Sequence, residues 1–350
     1  MTTQDPNASV AAHEALQRQW KDLFGKISLP DISHTVTDTS DKLQKLPEQI
    51  VRIRQRGYVF ASYLEQKRDV LVKRWDDIKR NILSSILSES GTFRTEYNRI
   101  DSLMTDLGRL ISNPATLDSS MGPVKQRITD LENRIEATEK KLKTDLGSLP
   151  ADVDQTLKQL TDITWYLDQK DEASFKFLAG ESLFLAAKAE WVETGKGKTD
   201  PDGILYLSDQ RLVFEQKETT GKTLGLFGGK KTQELKWEVP LNLIAEVKAE
   251  NKGLFGGKDM LYFTLKSGAP FSQITVEVKG GVACKFWAAQ IQRMISGNTK
   301  DERAIQPDAE ELKAIKQAPT ACPSCGGTLP MLVAGQNQID CGYCGTVIRV

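Results

Sequence analysis

Four of the chain's five cysteines fall in its last 29 residues, in the order Cys322-x2-Cys325-x15-Cys341-x2-Cys344. Two such pairs supply four thiolates, the donor number of a tetrahedral zinc, and no other feature limits the fold as strongly. A segment this short cannot bury a core that holds itself together, so a cross-link must supply the stability. Each pair is followed by a glycine, Gly326 or Gly345, where a tight turn can aim backbone N–H groups at sulfur. Residues 328–340 read as a strand, a turn at Gly335-Gln336-Asn337 and a second strand, and 346–350 offer a third. The expectation is a zinc ribbon over 319–350 with one structural Zn2+ on Cys322, Cys325, Cys341 and Cys344. Four thiolates fill the tetrahedron, so the metal has no open position for catalysis. Two disulfides are the alternative; they need an oxidising compartment, to which nothing else points.

Charge narrows the partners. Lys+Arg and Asp+Glu balance at 47 each, so no global field recruits nucleic acid or anionic lipid. Within 318–350 the one basic residue, Arg349, is offset by Asp340, which equips the ribbon poorly for phosphate backbones, and nucleic acid is an unlikely partner. The N-terminus lacks a basic start followed by an apolar run, and no stretch approaches the roughly 20 apolar residues of a spanning helix. A cytoplasmic chain, or one peripheral at a membrane, is expected. The two histidines, His13 and His34, sit in a polar stretch read as poorly structured, and no nucleophile, zinc-protease or dinucleotide motif occurs. No enzymatic activity is expected.

Residues 1–40 are polar, interrupted by Pro6, Pro30 and a Thr/Ser-rich run, with a short amphipathic helix near 10–27 striped by Ala12, Leu16, Trp20 and Leu23 or Phe24. Residues 41–177 read as helix almost throughout. Their stripes are Leu71, Trp75, Ile78, Ile82 and Ile86; Ile100, Leu103, Leu107 and Leu110; and Val124, Ile128, Leu131, Ile135, Thr138 and Leu142. Breaks fall at Asn113-Pro114 and at Gly147-Ser148-Leu149-Pro150. A coiled coil or helical bundle that makes a homo-oligomer is expected here. From 178 to 298 the helical period gives way to seven short strands, at 183–192, 204–208, 211–215, 235–239, 243–248, 260–265 and 273–278. One amphipathic helix over 281–296 follows, striped by Cys284, Trp287, Ala288, Ile291, Met294 and Ile295, and closes a bent sandwich. Residues 299–318 read as a linker that has room for a short helix at 308–317. The fold class is multidomain α + β.

The strand region also carries a resemblance. Gly203, the run Arg211-Leu212-Val213-Phe214, then Val239-Pro240-Leu241 and Trp287 in the closing helix resemble the GRAM/pleckstrin-homology family over about 120 residues. The resemblance implies a bent-sheet domain that docks on a lipid or protein, without saying which.

The hexapeptide GLFGGK occurs twice, at 225–230 and 253–258, in the loops between the third and fourth and between the fifth and sixth strands. If strands alternate up and down in sequence, both loops emerge at one rim. Leu226, Phe227, Leu254 and Phe255 would enter an anionic membrane interface while Lys230, Lys231 and Lys258 meet phosphates, each lysine contributing about 1 kcal/mol. A protein partner is the other occupant of such loops, and plain turns covering the sandwich edge are the structural reading. Function is therefore expected to be that of a modular adaptor or scaffold, membrane-docked or purely protein-binding; a nucleic-acid-associated factor is the weaker alternative.

Overall fold

The computed structural model describes residues 6–195, 199–220, 230–252 and 257–349. The chain divides into two compact units, residues 1–47 with 66–158, and residues 48–65 with 159–350.

Five helices occupy the N-terminal half: α1 (Pro6–Lys26), α2 (Pro30–Gln55), α3 (Tyr63–Arg109), α4 (Pro114–Leu146) and α5 (Leu149–Asp171). Residues 6–40 are almost wholly helical, which corrects the expectation of an interrupted segment. Pro30 opens α2 rather than breaking a helix, because the first helical position needs no N–H. The two-residue turn before it is closed by Leu29, at φ 52° with its side chain fully buried. The Thr/Ser-rich run is helical all the same, its hydroxyls satisfied by carbonyls one turn earlier: Ser33 donates to Leu29, Thr35 to Asp31, Thr37 to Ser33 and Ser40 to Val36, at 2.8–3.2 Å. Of the expected stripe of α1, Leu16 and Leu23 are buried and Trp20 is half-buried, and the buried face extends to residues the stripe left out. Ser9, His13, Leu16, Leu23 and Ile27 are buried, whereas Ala12 and Phe24 are exposed.

At Asn113 the side chain accepts from the N–H of Thr116 and caps α4, with Pro114 in its first turn, so the expected break is present. The stripes Leu71/Trp75/Ile82 and Val124/Ile128/Leu131/Ile135/Leu142 are buried within the helical unit itself. They are covered by the chain's own helices and do not require a second copy.

Residues 56–62 leave the helical pattern. Arg54 turns its guanidinium onto the carbonyls of Tyr58, Phe60 and Ala61 at 2.6–2.9 Å and pairs with Glu65. This non-helical backbone exchanges hydrogen bonds with the segment after the last sheet helix, Ala304 N to Val59 O and Ser62 N to Glu302 O. A long-range pairing of this kind leaves no local signal, and the helical reading of 41–177 missed it.

The second unit holds a seven-stranded antiparallel sheet: β1 (Leu183–Trp191), β2 (Asp202–Ser208), β3 (Arg211–Thr220), β4 (Lys230–Pro240), β5 (Ile244–Lys252), β6 (Lys258–Leu265) and β7 (Gln273–Val278). Spatial order is β4-β3-β2-β1-β7-β6-β5. At Gly203 the β2–β3 pair leaves no room for a side chain: a Cβ there would lie 1.9 Å from the Glu215 carbonyl oxygen, so any larger residue must push the strands apart. The helix α6 (Cys284–Ile295) buries Cys284, Trp287, Ala288, Ile291 and Met294, the expected stripe less Ile295. The expected common rim fails. β4 and β5 stand at opposite edges and both run antiparallel to β1, so alternation breaks between them, and β3 and β5 lead into their turns along opposite strand directions.

The start of α6 is capped across the fold, not by its own N-cap residue. Asp259 on β6 accepts from the N–H of Cys284 at 3.0 Å, which, with the Cys284 thiol and the Asn251 amide, holds its carboxyl below the usual range. Asp259→Ala is expected to cost about 1 kcal/mol in urea unfolding at neutral pH. A lowered folded pKa means this contribution is present above the ordinary carboxylate range and is lost as pH falls through the folded value. The gap between wild type and variant should therefore close in acid; a gap independent of pH would argue against the cap.

Candidate metal centre and docking surface

The C-terminal segment is built from two copies of one turn. Cys322 N donates to Gly327 O and Gly326 N returns to Cys322 O; Cys341 N donates to Thr346 O and Gly345 N returns to Cys341 O. Gly326 and Gly345 sit at φ 71° and 72°, which is why each Cys-x2-Cys is followed by glycine. Both knuckles present their sulfurs to one point, and all four Sγ atoms lie within 4.8 Å of one another. The cross-knuckle pairs Cys322–Cys344 and Cys325–Cys341 are each 3.6 Å apart. Tetrahedral thiolates around zinc, at about 2.3 Å from the metal, stand roughly 3.8 Å from one another, so this donor set fits such an ion. The N–H of Ser324 also points at Cys322 Sγ, at 3.4 Å. The Thr346 hydroxyl, 3.1 Å from Cys344 Sγ, is the main influence holding that thiol down at about 6.

The expected first strand of the ribbon pairs with a different partner. β8 (Gln338–Asp340) and β9 (Val347–Arg349) form a two-stranded ribbon, but residues 328–333 do not join it. Val333 bridges Leu178 instead, with Ala179 N donating to Leu332 O and Ala334 N to Phe177 O, both at 2.9 Å. A single apolar core contains Ala179 together with Cys322, Leu329, Leu332, Ile339 and Cys341, with Ile315 and Ala318 of the preceding segment packed on it. That segment, read as a linker, holds the helix α7 (Ala309–Gln317), and Arg303 at its start pairs with Asp209 and stacks over Phe60. The ribbon is thus seated on the stretch that leads into β1. Leu332 is buried in that seat while Met331 is exposed. Tyr343 is 76 % exposed, its ring lying over Gly327, where a Cβ would come within 2.5 Å of it.

Sequence reading missed the group that fixes this seat. Arg211 and Glu181 are both buried and bond through Nη2–Oε2 at 2.9 Å and Nε–Oε1 at 3.0 Å. Glu181 also accepts from Ser208 Oγ and from the N–H of Leu178, each at 2.6 Å, and Arg211 donates to the Lys176 carbonyl and to Glu238. Arg211 stood in the family-like pattern, but nothing local marks Glu181 as its partner, 30 positions earlier.

Leu226, Phe227, Leu254 and Phe255 lie outside the described residues, as does the side chain of Lys230. Lys231 is exposed on β4. Lys258 pairs with Glu277 at 2.8 Å, a partner that the local charge count omitted because it sits on β7. Lys236, Lys248 and Lys252 likewise have Glu234, Glu246 and Glu250 within 3.1–3.4 Å. Among the described residues no helix is long and apolar enough to cross a membrane.

No protein-family model and no curated protein matches the chain. Solved structures do. The Vps36 N-terminal PH domain is 13% identical, with 35% of this chain and 83% of that one covered, at a TM-score of 0.24. A pleckstrin homology domain from Shewanella amazonensis SB2B is 21% identical over 33% and 86%, at 0.22. The PDZ-RhoGEF DH/PH domains, in complex with GTP-γ-S activated RhoA, are 11% identical over 80% and 95%, at 0.26. The expectation that the chain has no enzymatic activity is corrected on this point and withdrawn, because the structures matching over most of its length are DH/PH domains of exchange factors. At such scores the likeness transfers no activity to this chain.

Proposed function

We propose that the chain is an adaptor that docks on an anionic membrane surface through its pleckstrin-homology-like domain, with the C-terminal ribbon held by one structural zinc. Four cysteine thiolates in tetrahedral separation are a zinc donor set. Gly203, Arg211 and Pro240 favour the GRAM variant of the fold. The observation that carries the docking reading is the placement of the repeat. Thr220 pairs with Lys230 and Lys252 with Lys258, so each GLFGGK copy connects an antiparallel edge pair of the sheet; because β3 and β5 lead into the two copies in opposite directions, one copy at a time would meet the surface. A Leu-Phe pair between glycines on a hairpin turn, flanked by lysine, suits the headgroup region.

A protein partner is the second reading. It is favoured by the carboxylates beside Lys236, Lys248, Lys252 and Lys258, which offset the positive field that a lipid surface would meet.

Co-sedimentation with vesicles containing phosphatidylserine separates the two. The wild-type protein should pellet, and Phe227→Asp with Phe255→Asp should lower the bound fraction roughly tenfold, more strongly at low salt. Equal pelleting of both proteins would sink the hairpin contact. No pelleting of either would leave the protein-partner reading.

A further inference from the structure

The middle of α3 carries a second stripe, apart from its buried one. Ile82, Phe93, Tyr97 and Ile100 are buried in the helical unit, with Arg134 of α4 over the Phe93 ring. About a quarter to a third of a turn away run Asp76, Arg80, Leu83, Leu87, Ser90 and Arg94, at alternating spacings of four and three. That spacing keeps all six on one line of the helix. Leu87 is 79 % exposed, more than any other large apolar side chain among the described residues, and Leu83 is 45 % exposed. A Cβ built on Gly91, one turn after Leu87, meets nothing within 4 Å, so that flank is open as well. Single leucines on a surface need no explanation, but these two share a line with one unpaired charge of each sign. The Asp76 carboxylate and the Arg94 guanidinium have no ion-pair partner among the described residues, whereas Arg80 is paired with Asp77 at 2.7 Å.

The order of these residues selects the occupant. Leu83 and Leu87 stand two residues on either side of position 85, and Asp76 and Arg94 stand nine on either side. If the same helix is laid antiparallel on itself about that midpoint, Leu83 meets Leu87, Arg80 meets the small neutral Ser90, and Asp76 meets Arg94 at both ends. Each ion pair then lies about 13 Å along the axis from the centre. In a parallel pair each residue would meet its own copy, setting Asp76 against Asp76 and Arg94 against Arg94, which is repulsive. A surface that is its own complement under a two-fold rotation is the signature of an isologous contact.

We propose that a second copy of this chain docks antiparallel on this stripe, with Leu83 against the partner's Leu87 and Asp76 against the partner's Arg94. One helix face buries less than the roughly 1,600 Å² of a standard interface, so the dimer is reversible, in the micromolar range. This contact is independent of the docking reading above and of the zinc.

Sedimentation equilibrium of the full chain, without vesicles, tests it. A monomer–dimer equilibrium is expected at micromolar protein. Leu83→Ser with Leu87→Ser should leave a monomer over the same range. Asp76→Arg and Arg94→Asp should each weaken the dimer about tenfold, because each turns two attractive contacts into like-charge ones. Asp76→Arg with Arg94→Asp in one chain exchanges the charges and should restore the wild-type affinity. All four positions are exposed, so helix content by circular dichroism should not change. A wild-type chain that stays monomeric to several hundred micromolar would leave the stripe to some other occupant and overturn the proposal. So would a dimer that survives loss of both leucines, or a double charge exchange no tighter than the single ones.

Discussion

Arg211→Ala is expected to destabilise the seven-stranded unit by about 3–5 kcal/mol, a large part of the 5–15 kcal/mol typical of a domain. The reason lies in what the guanidinium leaves behind. The Glu181 side chain has no solvent exposure, and Arg211 is the cation that bonds both of its oxygens. Without it a buried carboxylate stands against two neutral donors, Ser208 Oγ and Leu178 N. Removing one member of a buried pair costs far more than removing the charges of both. The double variant Arg211→Met with Glu181→Gln, which keeps an acceptor for Leu178 N, should therefore be more stable than Arg211→Ala alone. Urea unfolding of the three proteins reads this directly. A loss under about 1 kcal/mol for Arg211→Ala would reduce the network to the standing of a surface ion pair.

The second large effect is expected from metal removal. Cys322→Ser with Cys341→Ser, or a strong chelator, should abolish a content of about one zinc per chain. Metal binding supplies about 10–16 kcal/mol in isolated zinc-finger peptides, far more than this small ribbon's apolar core can replace. The consequence should spread beyond the ribbon, because Ala179 belongs to the ribbon core and its N–H donates to Leu332 O. Amide exchange should show Ala179 and Ala334 losing protection together on chelation. Amides inside the β2–β3 ladder, such as Phe214, should stay protected. Unchanged protection at Ala179 would mean that the seat forms without the metal. The Arg211 variant approaches the same segment from the other side, since Arg211 and Glu181 hold Lys176 O and Leu178 N.

What could be read from sequence shared one property: its signal lies within a few residues. The helix break at Asn113-Pro114, the α6 stripe, the alternation in Gln273–Val278 and the knuckle glycines all follow from local periodicity or from one backbone angle. The readings that failed depended on distant partners. Pro30 and the Thr/Ser run looked like interruptions because composition does not say where a helix starts, nor whether hydroxyls will bond back to the preceding turn. The non-helical Tyr58–Ser62 backbone depends on residues 302–304. His13 read as a residue of a poorly structured stretch; it lies on the buried face of α1.

The sequence by itself determined that four thiolates converge, because two Cys-x2-Cys-Gly turns are each closed by hydrogen bonds between residues at most five apart. It also determined that seven strands and a covering helix follow a helical half. Only the tertiary structure decided that the ribbon is seated on the segment before β1, and that a buried Arg211–Glu181 pair pins that segment. It alone showed that the strands leading into the two hexapeptide turns run in opposite directions, and that Lys258 meets Glu277. The physical reason is the same in each case. Local backbone geometry is written in neighbouring residues, whereas strand order, buried charge pairing and the seating of a small module depend on contacts between distant residues that form only when the chain packs.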